Sequence, residues 1–565
     1  MLQSQKTWQL TPPAATPWLP PDVPPALGQV LLARGIDTAE KLHLFLEPPH
    51  RLPYDPLRLP GMAPALRRLY QAIEGGEKVG VFGDFDVDGM TGTAIVCEAM
   101  QSFGISPVPY LPHRVDEGHG LSTEAVRWMA DQGVRLIITV DCGVTSVKEV
   151  GDARAAGVDV IITDHHTLAA TLPDAVAIVN PRVADSQYPY PELSGAGLAF
   201  KLAQGLYQYY GQPWDRSLLE LAALGTIADL VPLTDENRLL VRQGLDGLAR
   251  TSRPGLQALC RRAGVAPQSI NAETVSFQIV PRLNSSGRMS HAMESFRLLT
   301  TQSEAEAESL ADRLEQLNQE RRELTERAFA AAWGQVQGHE VLPPVLVVED
   351  PSITPGVAGL IAGRLAEQYH RPAVVLAGAG PDHLTASARS IAQFNVIQAF
   401  TACQDLFVRY GGHAQAAGFT MARENLPRLV AQLTSIAQDR LSSRDLLPVL
   451  SIDAEVNLAG LTAPLLQWLQ QLEPFGVGNP RPSFLTRDLR VMDTQFVGPA
   501  GQHVKLRVRQ GNRECTALAF NQGKLWSGSP TRLDLVYSIS TDNWNGVERM
   551  TLKVLDYRPA TGGSA

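Results

Sequence analysis

Short apolar runs alternate with amphipathic segments in the N-terminal part of the chain. Four such runs stand within residues 77–181: KVGVFGD (78–84), VRLIITVD (134–141), VDVIITDHH (158–166) and AVAIVNP (175–181). The segments between them predict helices, and several end in Gly, as helix C-termini often do. Buried β-branched strands that alternate with helices predict an α/β fold with a parallel, doubly wound sheet. Such a sheet binds its ligands beyond the carboxyl ends of its strands.

Residues 303–337 predict one long helix. The segment lacks Pro, has no Gly before position 334, and spaces Leu310, Leu314, Leu317 and Leu324 at helical intervals. At 1.5 Å per residue its length is roughly 50 Å. A helix this long can separate two domains. The alternative is a surface helix that belongs to one neighbouring domain.

A second α/β unit and a β-rich region are predicted after this helix. The α/β unit has the strands PVLVVED (344–350), PAVVLAG (372–378) and LTASARS (384–390), helices around 357–369 and 396–406, and the segment GGHAQAAGF (411–419). After PFGVGNPRPSF (474–484) come five alternating runs: LRVMDTQFV, HVKLRVRQ, RECTALAF, RLDLVYSIS and MTLKVLDY. Short strands at this spacing predict a small β-barrel. The tail PATGGSA (559–565) predicts disorder.

Composition is that of an ordinary globular protein, with 44% hydrophobic and 19% charged residues. The chain has neither a long apolar span nor a signal-peptide pattern, so we expect a cytoplasmic protein without a membrane partner. Five scattered cysteines, never spaced CxxC, indicate reduced thiols. A net charge of −9 by itself disfavours a nucleic-acid partner. Residues 480–560, however, hold 12 Lys and Arg against 7 Asp and Glu, a net charge of +5.

The strongest chemical signal is the segment GDFDVDGMTGTA (83–94). Asp84, Asp86 and Asp88 follow a predicted buried strand within five residues. Carboxylates this close repel one another unless a cation lies between them. The alternative is a solvated acidic turn, because Asp and Gly are common in turns.

The predicted strands that follow also end in residues that can bind metals. Asp141 follows one strand, Asp164, His165 and His166 follow another, and Asp229 follows an apolar, helical run. Carboxylates with imidazoles and without thiolates suit Mn²⁺ or Mg²⁺ better than a structural zinc ion. So many acids predict two ions, ~3.5–4 Å apart, as in many phosphoesterases.

Groups that could hold an anionic substrate occur in four other segments. These are SARS (387–390), GGHAQAAGF, HRVDEGHGL (113–121) and PRLNSSGR (281–288), which we interpret as a loop of small residues. Arg recognises phosphate through two hydrogen bonds, and Gly lets backbone amides approach it. Each segment alone is better explained by a structural or surface role, and together they complement the acidic site. The candidate residues are Arg114, His119, Arg282, Asn284, Arg288, Ser387, Arg389, Ser390 and His413.

One predicted barrel strand has a basic face. Its outward positions are His503, Lys505, Arg507 and Arg509, and the apolar residues alternate with them. A basic strand face suits single-stranded nucleic acid bound through its backbone. A charged face exposed to solvent is the alternative, because only one aromatic residue, Trp526, lies nearby in the sequence.

The chain resembles the bacterial RecJ single-strand-specific exonucleases of the DHH phosphoesterase superfamily. The motifs that carry the resemblance, in order, are GDFDVDGMTGTA, ITVDCG, ITDHH, LGTIADLVPL, PRLNSSGR, SARS and GGHAQAAGF. The resemblance covers about residues 50–560 and implies a DHH domain and a DHHA1 domain joined by the long helix, followed by an OB-like β-barrel domain. We expect an N-terminal Pro-rich and short helical segment at 1–48, the DHH catalytic domain at 49–250, a helical region at 251–338, the DHHA1 domain at 339–440, a linker at 441–479 and the OB-like domain at 480–560.

The resemblance also implies an activity and roles for individual residues. The activity is processive 5′→3′ hydrolysis of single-stranded DNA to 5′-mononucleotides by two-metal-ion catalysis, in DNA repair and recombination. A monomer is expected, with a helicase and a single-stranded-DNA-binding protein as candidate partners. The implied metal ligands are Asp84, Asp86, Asp88, Asp141, His165 and Asp229, and the catalytic group is His166, Asp164 and Arg389. Arg114, Arg282, Ser387, Arg389 and His413 match positions that grip DNA phosphates.

Two other functions stay open from the sequence. The first is a related phosphodiesterase that acts on short oligoribonucleotides or cyclic dinucleotides and needs no basic β-domain. The second is a non-catalytic single-stranded-DNA-binding scaffold, against which the complete set of metal-ligating residues speaks.

Overall fold

The computed structural model describes residues 6–21, 23–46, 52–378, 382–523, 526, 530–544 and 547–560. The chain forms two compact units, residues 50–442 with 476–478 and residues 1–49 with 443–475 and 479–565. All five cysteines are free thiols. Among the described residues, no helix has the length and apolar character needed to cross a membrane. Residues 561–565 of the tail for which we predict disorder lie outside the described part.

A five-stranded parallel sheet forms the centre of the first unit, and helices pack on both of its faces. This confirms the predicted doubly wound fold. The sequence pattern did not predict the edge strand 108–110, because Pro107 and Pro109 interrupt it; an edge strand tolerates Pro, since only one of its sides donates to a neighbour. The strands in spatial order are Val108–Tyr110, Val79–Gly83, Leu136–Val140, Asp159–Thr163 and Ala177–Val179. The helices are Met62–Glu74, Val87–Ser102, Thr123–Asp131, Val147–Ala155, Gly195–Tyr209, Leu218–Ala228 and Asp235–Leu248.

A group of helices follows the parallel sheet. The segment PRLNSSGR, interpreted above as a loop, lies within the helix Val280–Met289, so that interpretation was wrong. Pro281 is tolerated because it stands in the first helical turn, where its missing amide hydrogen has no partner to lose. The hydroxyls of Ser285 and Ser286 donate to backbone carbonyls one turn earlier, which accommodates them in the helix. The other elements here are Pro254–Ala263, Ala272–Thr274, the π-helical turn Val275–Ile279 and Met293–Thr300.

The predicted long helix is confirmed as Glu304–Gln337, with 34 residues. Ser303 caps its N-terminus by accepting a hydrogen bond from the Glu306 amide. The first half, including Leu314, packs in the core of the parallel-sheet domain. The second half, including Ala332, packs in the core of the next domain. The helix therefore connects the two domains of this unit.

The second domain of this unit contains a five-stranded mixed sheet. Only its last two strands in spatial order are parallel to each other. Its strands in spatial order are Phe407–Gly412, Ala416–Ala422, His383–Arg389, Ala373–Gly378 and Leu346–Glu349. Its helices are Pro355–Tyr369, Val396–Thr401 and Leu426–Arg440.

The other compact unit contains the predicted β-barrel, which is confirmed. The barrel is closed because its first strand, Ser483–Val497, pairs with both its second and its fourth strand in chain order. The remaining strands are His503–Gln510, Arg513–Ala519, Arg532–Trp544 and Val547–Pro559. Each inward-facing position of the basic strand is buried, as the alternation predicts.

Residues from two other parts of the chain share the apolar core of this barrel. Leu27 of the N-terminal region and Leu465 belong to one buried cluster with Phe484 and Tyr537 of the barrel strands. Lost core contacts of this kind destabilise a domain, so the barrel depends on both regions for its stability. The additional elements are the strands Thr7–Leu10, Val449–Ile452 and Ala454–Glu455 and the helices Pro25–Ala33, Ala39–Leu46 and Ala463–Gln471.

Candidate active site

The first acidic motif forms a tight turn between a strand and a helix. Asp84 follows the strand 79–83, and Asp86 caps the helix 87–102 by accepting hydrogen bonds from the amides of Asp88 and Gly89 at 3.0 and 3.2 Å. A Cβ atom at position 89 would lie 2.5 Å from the Asp84 nitrogen, so the turn requires Gly. The spacing of the three aspartates is thus fixed by the turn that brings them to the edge of the sheet.

Asp88 connects this turn to a second helix. Its two carboxylate oxygens accept hydrogen bonds from the amides of Gly195 and Ala196, at 2.6 and 2.9 Å, at the N-terminus of the helix 195–209. This is a favourable position for an anion. A Cβ atom at Gly195 would lie 2.5 Å from the Cβ atom of Asp141, so only Gly lets the helix approach the carboxylates so closely. Gly195 was not among the site residues predicted from the sequence.

Asp141 adopts a left-handed backbone conformation, with φ of +63°, directly after the strand 136–140. Its amide donates to the Thr163 carbonyl at 2.9 Å, which holds the turn against the neighbouring strand. Asp tolerates this conformation better than most residues, although it costs about 1 kcal/mol. The turn leaves the Asp141 side chain buried at the carboxyl edge of the sheet.

The DHH motif supplies two imidazoles in different roles. One oxygen of Asp164 lies 2.7 Å from His166 Nδ1, and the other accepts from the Val144 amide at 3.0 Å. Burial acts to raise the pKa of Asp164, but the hydrogen bonds from His166 and Val144 outweigh it and hold that pKa below its usual value. Asp164 is therefore an anionic partner that fixes the orientation of the His166 ring. Burial lowers the pKa of His165 to about 3, so its imidazole is neutral and able to bind a metal.

The predicted metal ligands come together in one pocket. His165 Nε2 lies 3.1 Å from Asp141 Oδ1 and 3.6 Å from Asp229 Oδ2. Asp229 stands at the C-terminus of the helix 218–228, as expected from the sequence. Three sets of ligand atoms lie within 4.8 Å of one another: Asp84, Asp86 and Asp141; Asp88, His165 and Asp229; and Asp141, His165 and His166. Because these sets share members, they describe adjoining positions for metal ions.

Several atoms in this pocket lack the partners that buried polar atoms require. Asp84 Oδ1, Asp141 Oδ1 and His165 Nε2 are buried without a hydrogen bond. The last two atoms lie 3.1 Å apart, but their relative orientation does not form a hydrogen bond. Burial and then repulsion from Asp88 raise the pKa of Asp229 to about 9, and the same two causes raise the pKa of Asp141 well above its usual value. Cations would supply the missing partners and relieve the repulsion between the carboxylates. The residues therefore fit a pair of oxygen-preferring divalent ions.

A cluster of arginines complements this acidic pocket. The Arg114 guanidinium stacks on Phe85 at 3.8 Å and donates to the Gly287 carbonyl, and Arg288 donates to the Gly356 carbonyl. Burial, followed by repulsion from Arg114 and other arginines, lowers the pKa of Arg288 to about 9, and burial followed by repulsion from Arg114 lowers that of Arg389. In the described part of the chain, Arg114, Arg288 and Arg389 form no ion pair. An anionic ligand such as a phosphate group would satisfy this cluster.

The structure gives the other candidate substrate-binding residues mixed surroundings. Arg282 is paired with Glu315 of the long helix, and Asn284 accepts from the Val87 amide at the start of the first acidic motif's helix. The Ser390 hydroxyl donates to the Phe394 carbonyl at 2.6 Å. These three side chains are occupied by contacts within the protein.

Three further candidates lie near the predicted catalytic or metal-ligating residues. The ring of His413 stacks on that of His166, with centroids 5.5 Å apart and an angle of 11° between the planes. Ser387 lies on the same strand as Arg389 and two residues before it, so both side chains leave the same face of the mixed sheet. His119 Nδ1 lies 3.1 Å from Asp84 Oδ2, next to the acidic turn and not in the arginine cluster.

Three family models match the chain. They are the DHH family N-terminal domain at residues 78–226, the DHHA1 domain at 342–439 and the RecJ OB domain at 452–556. The single-stranded-DNA-specific exonuclease RecJ of Bacillus subtilis is 38% identical over 98% of this chain and 71% of that protein. The chain belongs to the RecJ family.

Solved RecJ structures have the same fold. The RecJ of Thermus thermophilus in complex with Mn²⁺ matches with a TM-score of 0.84 and 30% identity over 99% of this chain and 80% of that one. Its complex with Mg²⁺ matches with a TM-score of 0.78 and 29% identity over 99% and 79%. The Thermus thermophilus RecJ is thus complexed with the two metals that the ligand chemistry of this pocket favours.

The region that matches the RecJ OB domain has a basic and partly aromatic face. Lys505 and Arg507 are exposed on it, whereas Arg509 is paired with Glu514. Trp526, the aromatic noted in the sequence, is buried in the barrel and is therefore removed from this face. Phe520 is 47% exposed. Lys505 pairs with Leu518 on the neighbouring strand, and Phe520 lies two residues after Leu518, so Phe520 is on the same basic face. The alternation of residues along the strand indicates this only once the pairing register is known.

Proposed function

We propose that this RecJ-family chain hydrolyses phosphodiester bonds of single-stranded DNA processively in the 5′→3′ direction and releases 5′-mononucleotides in DNA repair and recombination. The proposal is carried by one observation: a largely buried cluster of carboxylates and imidazoles lies beside a half-buried cluster of arginines, within one pair of domains. The first cluster needs cations, and the second needs an anion. A phosphodiester bound together with two Mn²⁺ or Mg²⁺ ions satisfies both. The 5′→3′ direction of hydrolysis is proposed from membership of the RecJ family.

In this proposal each cluster has a separate task. When bound, the two cations lower the pKa of water toward neutrality and neutralise charge on the phosphoryl oxygens. Asp84, Asp141 and His165 hold the ions, and Asp164 orients the His166 ring toward the phosphate. Arg389 and its neighbours fix the strand and stabilise the charge that develops in the transition state. The chain's own contribution is therefore position and charge, prepared before the substrate arrives.

The proposal is tested by digestion of end-labelled single- and double-stranded DNA with Mn²⁺, Mg²⁺ or a chelator. We expect mononucleotides to be released from the 5′ end of single strands with either metal, because the pocket offers oxygen ligands to both. Duplex DNA and chelator-treated reactions should stay intact. Cleavage that persists in chelator, or that prefers duplex DNA, would contradict the proposal.

The two alternative functions lack support of this kind. A phosphodiesterase for short oligoribonucleotides or cyclic dinucleotides does not need the barrel that matches the RecJ OB domain. A non-catalytic scaffold does not need the unsatisfied metal-ligating atoms. Truncation near residue 480 is a poor test of these alternatives, because it would expose apolar residues that share the core of the barrel. Substitutions on the barrel face are better suited.

We expect Phe520→Ala to weaken binding of a long oligo(dT) strand about tenfold, because a stacked base contributes about 1–3 kcal/mol. Arg507→Gln should weaken binding less and reduce the salt dependence of the binding constant by about 0.7 in log–log slope. Fluorescence anisotropy at several salt concentrations measures both effects. Phe496→Ala is the control: Phe496 is also exposed, but it pairs with Val504 and leaves the opposite face of the sheet. Equal losses for the two Phe variants would exclude a specific stacking site.

We further propose that the protein acts in the cytoplasm as a monomer and receives single strands from a helicase or a single-stranded-DNA-binding protein. The support is the family and the substrate. Sedimentation velocity with and without each partner would test the proposal, and a stable dimer of the chain alone would contradict the monomer.

A further inference from the structure

Arg182 lies at the edge of the metal pocket and was not among the predicted site residues. It follows the strand 177–179, which neighbours the strand that leads into His165 and His166. Asn180 is fully buried between them: its amide group donates to the His166 carbonyl at 3.1 Å, and its side-chain oxygen accepts from the Arg182 amide at 2.8 Å. The backbone of Arg182 is therefore tied to the DHH motif.

The side chain of Arg182 reaches the segment that leads into the helix 195–209. Its guanidinium is paired with Glu192, which stands three residues before Gly195, and the Gly195 amide donates to Asp88. The backbone and the guanidinium of Arg182 are therefore both held next to residues of the metal pocket. The arginine cluster described above is held by other elements of the chain, around Phe85, Gly287 and Gly356.

The guanidinium of Arg182 is held by a partner that it can leave. It is paired with Glu192 at 2.7 Å, and the two side chains are 35% and 38% exposed. Ion pairs with this exposure contribute little to stability, so a phosphate can replace the carboxylate. Glu192 itself stays in place when the guanidinium leaves, because its backbone carbonyl accepts from the buried side chain of Asn237 at 2.6 Å.

We propose that Arg182 is a substrate-binding residue that contacts the DNA phosphate next to the scissile one, and that Glu192 holds the guanidinium when DNA is absent. The inference rests on the proposed function. A single strand presents one phosphate after another, so a scissile phosphate at the metals places its two neighbours on either side of the pocket. The arginine cluster serves one neighbour, and Arg182 serves the other.

The test measures binding of oligo(dT) by fluorescence anisotropy with Ca²⁺, in an Asp141→Asn background that prevents cleavage. Arg182→Gln should weaken binding about fivefold to tenfold at moderate salt and lower the log–log salt slope by about 0.7, the value for one phosphate contact. Arg182→Lys should keep the slope, because it keeps the charge. Glu192→Gln should leave binding unchanged or strengthen it, because it frees the guanidinium. Arg154→Gln, which breaks an exposed ion pair at the end of the helix 147–155, is the matched control.

Three outcomes would overturn the inference. The first is an Arg182→Gln variant with the affinity and salt slope of the parent. The second is equal weakening by Arg182→Gln and Glu192→Gln with equally lowered melting temperatures, since the pair would then be structural. The third is a loss with Arg154→Gln as large as that with Arg182→Gln. If the chain with Asp141 intact cleaves single strands normally in these cases, the proposed function stays intact, whereas the absence of cleavage by that chain would refute the proposed function itself.

Discussion

Asp141→Asn should reduce cleavage of single-stranded DNA at least about a thousandfold, which corresponds to about 4 kcal/mol of transition-state stabilisation. Asp141 belongs to two of the three sets of metal-ligating atoms, so its loss disturbs both ion positions. Asn is preferred to Ala because it accepts the left-handed backbone of this position. Affinity for DNA should change little, because the arginine cluster and the barrel face are untouched. Single-turnover cleavage and anisotropy measure the two quantities separately.

Asp185→Asn is a close control for this variant. Asp185 also has φ of +63° and lies in the same domain, but it is exposed and belongs to none of the metal-ligating sets. It should cleave DNA at the rate of the parent. Cleavage by the Asp141→Asn variant at the parent rate would contradict the two-metal proposal. A comparable loss of cleavage in Asp185→Asn would indicate that a change in backbone conformation, and not the loss of a metal ligand, causes the effect.

Asp141→Asn, which should abolish most of the cleavage activity, should increase the stability of the metal-free protein. Without metal, Asp141 is a buried acid whose pKa is raised by burial and then by Asp88 and other aspartates. Its replacement by a neutral amide should stabilise the protein in chelator by about 1–2 kcal/mol, as replacements in strained active sites can. In Mn²⁺ the order should reverse, because the parent gains more from the ion. Thermal melts with chelator and with Mn²⁺ test this crossing.

The fold followed from the sequence wherever one period dominated a segment. The buried runs of the parallel sheet and the strict alternation of the strand 503–510 identify their strands without further information. The helix 280–289 was misjudged because Pro281, Asn284 and Ser285 are typical of loops. The helix accommodates these residues through particular contacts, such as the hydrogen bond from the Val87 amide to Asn284. Contacts with distant residues of this kind are not visible in the local sequence pattern.

Site residues could be predicted where several reactive side chains occur together in one segment. They could not be predicted where their role depends on packing between segments that are distant in the sequence. Acids at strand ends converge because parallel strands end at one edge of a sheet. Gly195 and Arg182 have no such signature in the sequence. Gly195 matters because its helix packs closely against Asp141, and Arg182 is placed near the site by the pairing of its strand with the one that leads into the DHH motif. Phe520 is a similar case, because its face depends on the pairing of Lys505 with Leu518.

The affinity for Mn²⁺ should rise steeply with pH. In the metal-free protein, burial followed by Asp86 raises the pKa of Asp88 to about 7, and burial followed by Asp88 raises that of Asp229 to about 9. An ion binds the ionised carboxylates, so these two groups release about two protons below pH 7 and about one between pH 7 and pH 9, and Asp141, whose pKa is also raised, adds to both numbers. We therefore expect the affinity to increase at least about a hundredfold and then at least about tenfold per pH unit in these ranges. Isothermal titration in buffers of different ionisation enthalpy measures both the affinity and the protons released.

Stability without metal should move in the opposite direction. A carboxyl whose pKa is raised on folding binds more protons in the folded state than in the unfolded state, so its contribution is lost as the pH rises from about 4 toward 9. The melting temperature in chelator should then fall over this range, while saturating Mn²⁺ should increasingly offset the loss as its affinity grows. A metal affinity that does not depend on pH, or a chelator melt that rises with pH across this window, would mean that the carboxylates are ionised before the ions arrive. The pocket would then be charge-balanced by its own arginines, and repulsion among the acids would not be what selects for the cations.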